Sequence, residues 1–417
     1  MKLAADTRRP ADALRTVAVR RLIAARFLVT FALHFQVVAV SLKVYQHSGR
    51  AIDLGFIGLV QFAPMALFSL AAGQLADRFD RRRIMVGCIV IFVLVGLAFA
   101  RPDPIDVRGL HGLSLLLALG TARAFYGPAA TSLLPALVKR SDVSNAILCQ
   151  SFSWQVAAVC GPAAAGLLCA SLGTSDIQFF VVGLLATAAV FTLKIAPASR
   201  HQPHAASFRS LLSGVKYVLR DPLLLGALSL DLVAVLMAGA TALLPIFATD
   251  LLSSGPLGLG LLRAAPAAGG AAVALVLALR PAGVGRRSGA KLLLSVATFG
   301  IATIGFGLSN TLWLSLISLA IAGASDMFGA AVRNSIVHLA TPPHMRGRVS
   351  SVSLVFMGAS NELGEFESGL LAQAFGARAA VVVGGLTATL SACFWDRLFP
   401  GLRRIDRLED IQTETEP

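Results

Sequence analysis

Charge is scarce in this chain: Asp, Glu, Lys and Arg make up 14% of its 417 residues, whereas 56% are hydrophobic. Soluble domains carry nearly twice that share of charge, so an ordinary water-soluble globule is excluded. Catalytic motifs are missing too. There is no Walker loop, no zinc-spaced His and Cys set and no nucleophile elbow, which argues against an enzyme or an ATP-driven pump. The five cysteines, Cys88, Cys149, Cys160, Cys169 and Cys393, lie in or beside apolar runs without a CxxC pair. Their expected role is packing, with no disulfide, metal or other cofactor.

What the chain has instead is apolar runs, each long enough for the roughly 20 helical residues that cross a hydrocarbon core. Twelve are expected, over 20–42, 55–76, 84–100, 111–137, 146–172, 178–195, 223–250, 257–280, 291–308, 311–338, 349–374 and 379–396. Helices are the open-ended solution in lipid, since strands need a closed barrel. The spacing predicts an all-α membrane protein of two six-helix bundles, 1–195 and 223–400, joined by a linker at 196–222 and ending in a tail at 401–417.

The net charge of +14 invites a nucleic-acid reading, but the basic residues sort by membrane side. With both termini placed in the cytoplasm, 27 of the 36 Lys and Arg fall on that side. Only Lys43, Arg50, Arg101, Arg108 and Arg378 fall in the opposite loops, and four arginines lie inside spans. This is the positive-inside pattern, and an anionic leaflet accounts for it without nucleic acid. The basic N-terminus resembles a signal peptide, yet the apolar stretch behind it is longer than a signal core and lacks a small-residue cleavage site. It is expected to be retained as the first span of a multi-pass protein of a bacterial-type plasma membrane.

The halves repeat at an offset near 203 residues: Pro64 maps to Pro266, and Arg82 and Arg83 map to Arg286 and Arg287. Between the second and third spans, GQLADRFDRRRIM sets Gly73, Asp77, Arg78, Arg81, Arg82 and Arg83 at a membrane exit. That placement serves orientation and suggests a hinge. Its counterpart, RPAGVGRRSGAK at 280–291, keeps the basic residues but not the Gly and Asp core. In the linker, Phe208, Leu211, Leu212, Val215, Val218 and Leu219 recur at helical spacing, which predicts an amphipathic helix on the membrane surface. The tail is short and charged, with a disordered end expected.

Ionisable residues inside spans are costly, so each is a candidate for function. Arg123 sits in the fourth span with Tyr126 three residues on, and Asp231 stands in the seventh among apolar neighbours. Asp326 and Arg333 in the tenth are two turns apart on nearly one face, too distant along the helix to pair with each other. The eleventh holds Asn361, Glu362, Glu365 and Glu367; Glu362 and Glu365 share a face, and Glu367 points elsewhere. Two neighbouring carboxylates at low dielectric cannot both ionise cheaply, which is what a proton-coupled carrier needs. Arg26, Thr30 and His34 form a stripe on the first span, expected to face a cavity. Gly161 and Pro162 permit a bend and close packing in the fifth.

These residues resemble the major facilitator superfamily over essentially the whole chain. Gly73, Leu75, Asp77, Arg78, Arg81 and Arg82 match its signature G-x-L-A-D-R-x-G-R-[RK], with Asp80 in place of the usual Gly. Arg123, Gly127 and Ala130 resemble the fourth-helix motif that the family links to proton transfer. Gly161, Pro162 and Gly166 resemble the fifth-helix antiporter motif, with Ala165 where a second Gly is common. The seventh and eleventh spans are similar to the enterobactin-exporter-like branch.

The resemblance implies a monomeric, alternating-access exporter whose partners are protons, the lipid bilayer and a siderophore, drug or other small amphipathic metabolite. It makes Glu362, Glu365, Asp231, Asp326, Arg123 and Arg333 the proton-coupling candidates, and Arg26, Thr30, His34, Tyr126 and Asn361 the cavity candidates. The residues around Asp77 would be a conformational latch. An uptake symporter for a small anionic metabolite and a non-transporting membrane receptor or assembly partner are the alternatives.

Overall fold

The computed structural model describes residues 16–103, 106–139, 142–196, 208–279, 285–406 and 411, and among these every regular element is helical. The basic N-terminus to residue 15, the linker at 197–207, the loop at 280–284 and the tail end at 412–417 lie outside the described residues. Six helices come first: α1 (Val17–Ser48), α2 (Ala51–Arg78), α3 (Arg81–Phe99), α4 (Leu110–Leu137), α5 (Val143–Leu172) and α6 (Ile177–Leu193). The linker helix α7 (Phe208–Arg220) follows, then α8 (Pro222–Met237). After a 3-10 turn at Ala240–Leu243 come α9 (Leu244–Ile246) and a π-helical turn at Phe247–Leu251. The chain continues through α10 (Gly255–Leu279), α11 (Ser288–Leu308), α12 (Leu312–Ala340), α13 (Arg346–Phe375) and α14 (Ala377–Leu398) to the short α15 (Pro400–Arg403).

Among the described residues, nine spans are long and apolar enough to cross a membrane, with Pro222–Leu251 counting as one. The other three expected spans do form helices. The described α6 has only 17 residues, a little under the usual crossing length. In α13 three glutamates and two arginines, and in α4 a central arginine, dilute the apolar run.

The chain folds into two compact units. One comprises Met1–Val40, Ala63–Asp103 and Ser114–Ala205; the other comprises Ser41–Phe62, Pro104–Leu113 and Ala206–Pro417. Packing thus assigns the turn from α1 into α2 to the unit that holds α8–α15.

The first unit's core gathers Val19 and Leu22 of α1, Met85 of α3, Leu133 and Leu134 of α4, and Ala146 of α5. The second has a core in which Leu230, Leu292, Val332 and Ala388 join α8, α11, α12 and α14. Apolar transfer alone drives little association in lipid, so close van der Waals approach matters. Glycine supplies it: a Cβ on Gly269 would stand 1.9 Å from the Ala320 carbonyl oxygen, and one on Gly323 2.1 Å from that of Pro266, so α10 and α12 touch backbone to backbone.

The linker helix departs from a simple surface position. Val218 is buried with Val349 and Val352 of α13, Val215 packs against the same cluster, and Gly214 abuts the Arg348 carbonyl oxygen. Leu212 and Leu219 remain exposed. Of the expected amphipathic face, a protein surface thus covers Val215 and Val218. The side chains of Phe208 and Leu211 lie outside the described residues.

Candidate functional site

In the first unit the basic signature is anchored to helix ends. Arg81 donates from Nε to the Ala76 carbonyl at 3.1 Å and from Nη1 to the Ser132 carbonyl at 3.0 Å. Arg82 Nη1 donates to the Ile195 carbonyl at 2.7 Å. A guanidinium suits the Ala76 and Ile195 carbonyls, at or just past helix C-termini, because such groups lack intrahelical donors and carry partial negative charge. Asp80 caps α3, accepting from the Arg82 backbone N–H at 2.9 Å. This gives the family departure at Asp80 a structural role.

Arg78 ends α2 exposed, and a Cβ on Gly73 would meet nothing within 4 Å. The Asp77 side chain lies outside the described residues.

The stripe on α1 sits at helix contacts. Arg26 Nη1 donates to the Ala130 carbonyl of α4 at 3.2 Å, and Tyr126 lies within its electrostatic reach. The Tyr126 ring meets Phe92 edge-on at 5.9 Å, and its hydroxyl is buried without a hydrogen-bond partner among the described residues. Thr30 and His34 are half-buried, as is Arg123 on α4. A Cβ on Gly161 would stand 2.9 Å from the His34 Cβ, so the glycine before Pro162 lets α5 approach α1. α5 continues through Pro162 to Leu172.

In the second unit two polar clusters form. Asp231 of α8, lone in sequence, is not alone in space: it is ion-paired with Arg333 of α12. Arg333 is 3% exposed and donates from Nη2 to Met357 Sδ of α13 at 3.1 Å. Asp326 lines a narrow cleft with Asp231, Ser295 and Ser325. The two carboxylates therefore flank one cleft while a single arginine pairs with the first.

The second cluster lies where α2 meets α13. A Cβ on Gly58 would be 2.8 Å from Glu362 Oε2 and 3.0 Å from Glu365 Oε2, so both carboxylates converge on one spot. Glu365 also accepts from Thr241 Oγ1 at 3.2 Å and feels the charge of Arg263 on α10. Gly55 and Gly369 bring the two helices close: a Cβ on Gly55 would be 2.8 Å from the Glu365 carbonyl oxygen. Glu367 turns away with a buried Oε2, and Asn361 is exposed.

Further pairs fix this region. Tyr45 hydrogen-bonds Asp250, and Arg108 Nη2 meets the buried Asp53 carboxylate at 2.7 Å. Sequence reasoning missed Arg263, Thr241 and Asp250. Arg263 was legible as an arginine inside a span under the same cost argument; Thr241 and Asp250 depend on the irregular backbone after α8, which carries no simple period.

Apolar helices of membrane length, two compact units and charges held inside the spans define a multi-pass membrane transporter. The chain matches the family described as transmembrane secretion effector over residues 10–413 and belongs to that family, within the major facilitator superfamily. It is 28% identical over 388 residues to the multidrug efflux pump Tap of Mycolicibacterium fortuitum, covering 89% of this chain and 92% of that protein. It is 26% identical over 344 residues to the enterobactin exporter EntS of Escherichia coli O1:K1 / APEC, covering 80% of each. Among solved structures it is similar to a bacterial homologue of the human lysosomal transporter Spinster, inward-facing and unoccupied. That likeness has a TM-score of 0.69 at 16% identity, over 93% of this chain and 98% of the other, and concerns the fold alone. The protein is a transporter of the bacterial plasma membrane and not an enzyme.

Proposed function

We propose that this transporter is a proton-driven exporter of a siderophore, drug or other small amphipathic metabolite. It works as a monomer with both termini cytoplasmic and needs no cofactor. Export as the direction draws support from the names of its relatives, an efflux pump and an exporter. The excess of Lys and Arg in alternate loops supports the orientation.

Proton coupling rests on one observation: Glu362 and Glu365 converge on Gly58 of α2. Two carboxylates at one spot repel when both are charged, and removing both from water is expensive, so one proton changes the local energy substantially. Because the shared spot is also the α2–α13 contact, loading or releasing that proton strengthens or weakens helix docking. Arg263 supplies the compensating charge when Glu365 is ionised. Asp326 and the Asp231–Arg333 pair form a second relay point in the same unit.

The expected result is that Glu365→Gln, which keeps shape and removes the titratable proton, abolishes proton-driven efflux while the protein still folds. Efflux measured in inverted vesicles and left unchanged by that substitution overturns the coupling role.

A further inference from the structure

Where α12 passes into α13 through residues 341–345, the second unit forms an open cavity of about 690 Å³. That is ample for a drug-sized molecule, whose sites fall between about 300 and 1,000 Å³. Asn334 and His338 share one face of α12, four residues apart. Arg346, Ser350, Ser353 and Met357 recur at helical spacing along one face of α13. The Arg346 guanidinium is fixed by donation from Nε to the Thr341 carbonyl at 3.2 Å. A guanidinium held in this way presents its fork to a carboxylate or another anionic oxygen.

Among the described residues, none that lines the cavity is acidic. This contrasts with the clefts around Asp231 and Glu362, where carboxylates gather. Hydroxyl and amide groups offer additional bonds to ligand oxygens, while Leu354 and Met357 supply apolar wall.

We propose that this cavity is a loading site for an anionic, oxygen-rich small molecule: a carboxylate or acidic phenol on an apolar body, rather than a lipophilic cation. The inference rests on the export reading, in which this end of α12 and α13 opens to the cytoplasm. Its inner wall gives it a route to the transport cycle. Met357 lines the cavity and its sulfur accepts from Arg333, the partner of Asp231. A ligand that displaces Met357 therefore disturbs the buried ion pair, so occupancy and the charged relay are mechanically linked.

The probe is salicylate, which carries one carboxylate, one hydroxyl and an apolar ring; tetraphenylphosphonium is the cationic comparison. Titration calorimetry on the detergent-purified full chain should show salicylate binding. Arg346→Ala should weaken it at least about tenfold, as loss of a charge-assisted bond requires. Leu354→Trp should block the cavity without disturbing the fold, because Leu354 is 65% exposed. Retained melting behaviour identifies folded variants, and Leu354→Trp keeps the test decisive if Arg346→Ala fails to fold.

Absence of salicylate binding, wild-type affinity in the folded variants, or tetraphenylphosphonium competing for the same site overturns the proposal. Salicylate efflux from vesicles separates the two readings. Efflux insensitive to Leu354→Trp sinks the loading site and leaves export standing. Intact binding without efflux of any probe sinks the export reading and leaves the cavity's chemistry standing.

Discussion

Arg333 is the residue on which the interior of the second unit turns, because it is almost fully buried and its charge is matched by Asp231. Breaking a buried pair from one side leaves an uncompensated charge, typically at a cost of about 3–5 kcal/mol, whereas replacing both partners with apolar side chains of similar size is often neutral. Asp231→Leu or Arg333→Met alone should therefore lower the melting temperature in detergent sharply, and the double variant should recover most of the loss. If the double variant melts as low as the worse single one, the pair is not the stabilising unit. The cost of an intramembrane charge made both residues visible in the sequence. Their pairing was not visible, since it depends on the rotation of α8 against α12, which periodicity along one helix does not specify. The same limit explains His34, whose contact with Gly161 belongs to the approach of α5 and not to the α1 stripe.

At the scale of elements, the two halves solve one problem in different ways. α3 begins on Asp80, which accepts from the Arg82 backbone N–H at 2.9 Å. At the offset of the repeat, Arg286 and Arg287 precede α11, with no acidic residue in the loop 280–287. The missing carboxylate arrives from the tail: Asp406 accepts from the Arg287 backbone N–H and from Arg286 Nε, each at 3.1 Å. The Asp406 and Ile405 carbonyls accept from the Ser288 and Gly289 N–H groups at 3.1 and 3.2 Å. A charged tail reads as a solvated end, and only the fold shows that its first residues cap α11.

Arg286 is 74% exposed on its side chain, so its ion pair contributes little, while loss of the acceptor for the Arg287 N–H costs about 1 kcal/mol. Asp406→Ala should lower the thermal unfolding midpoint. Asp406→Asn, which keeps an accepting oxygen for the Arg287 N–H, should stay near wild type; equal losses in the two variants would assign the effect to charge instead of that hydrogen bond. Asp80→Ala should cost more than Asp406→Ala, since Asp80 accepts from an N–H inside the first turn of α3, whereas the first N–H groups of α11 keep the Asp406 and Ile405 backbone carbonyls when the Asp406 side chain is removed.

For the whole molecule, the all-helical membrane fold and the family were legible because hydropathy length and a basic signature survive in sequence without tertiary detail; of the twelve spans expected, nine meet the length and hydropathy of a crossing among the described residues. Membrane orientation rests on charge distribution, and it sets the meaning of every site described above. Asn310 between α11 and α12 and Gly347 at the start of α13 lie at opposite ends of α12, both exposed. In a variant with its five cysteines replaced, Asn310→Cys should react with a membrane-impermeant maleimide in intact cells. Gly347→Cys should react only after permeabilisation, because the Arg-rich turns are retained in the cytoplasm. Substitution at Gly347 is spatially tolerated, as a Cβ there meets nothing within 4 Å. The reverse labelling pattern would turn the α12–α13 cavity to the outside, where it could receive a ligand for uptake but could not load one for export.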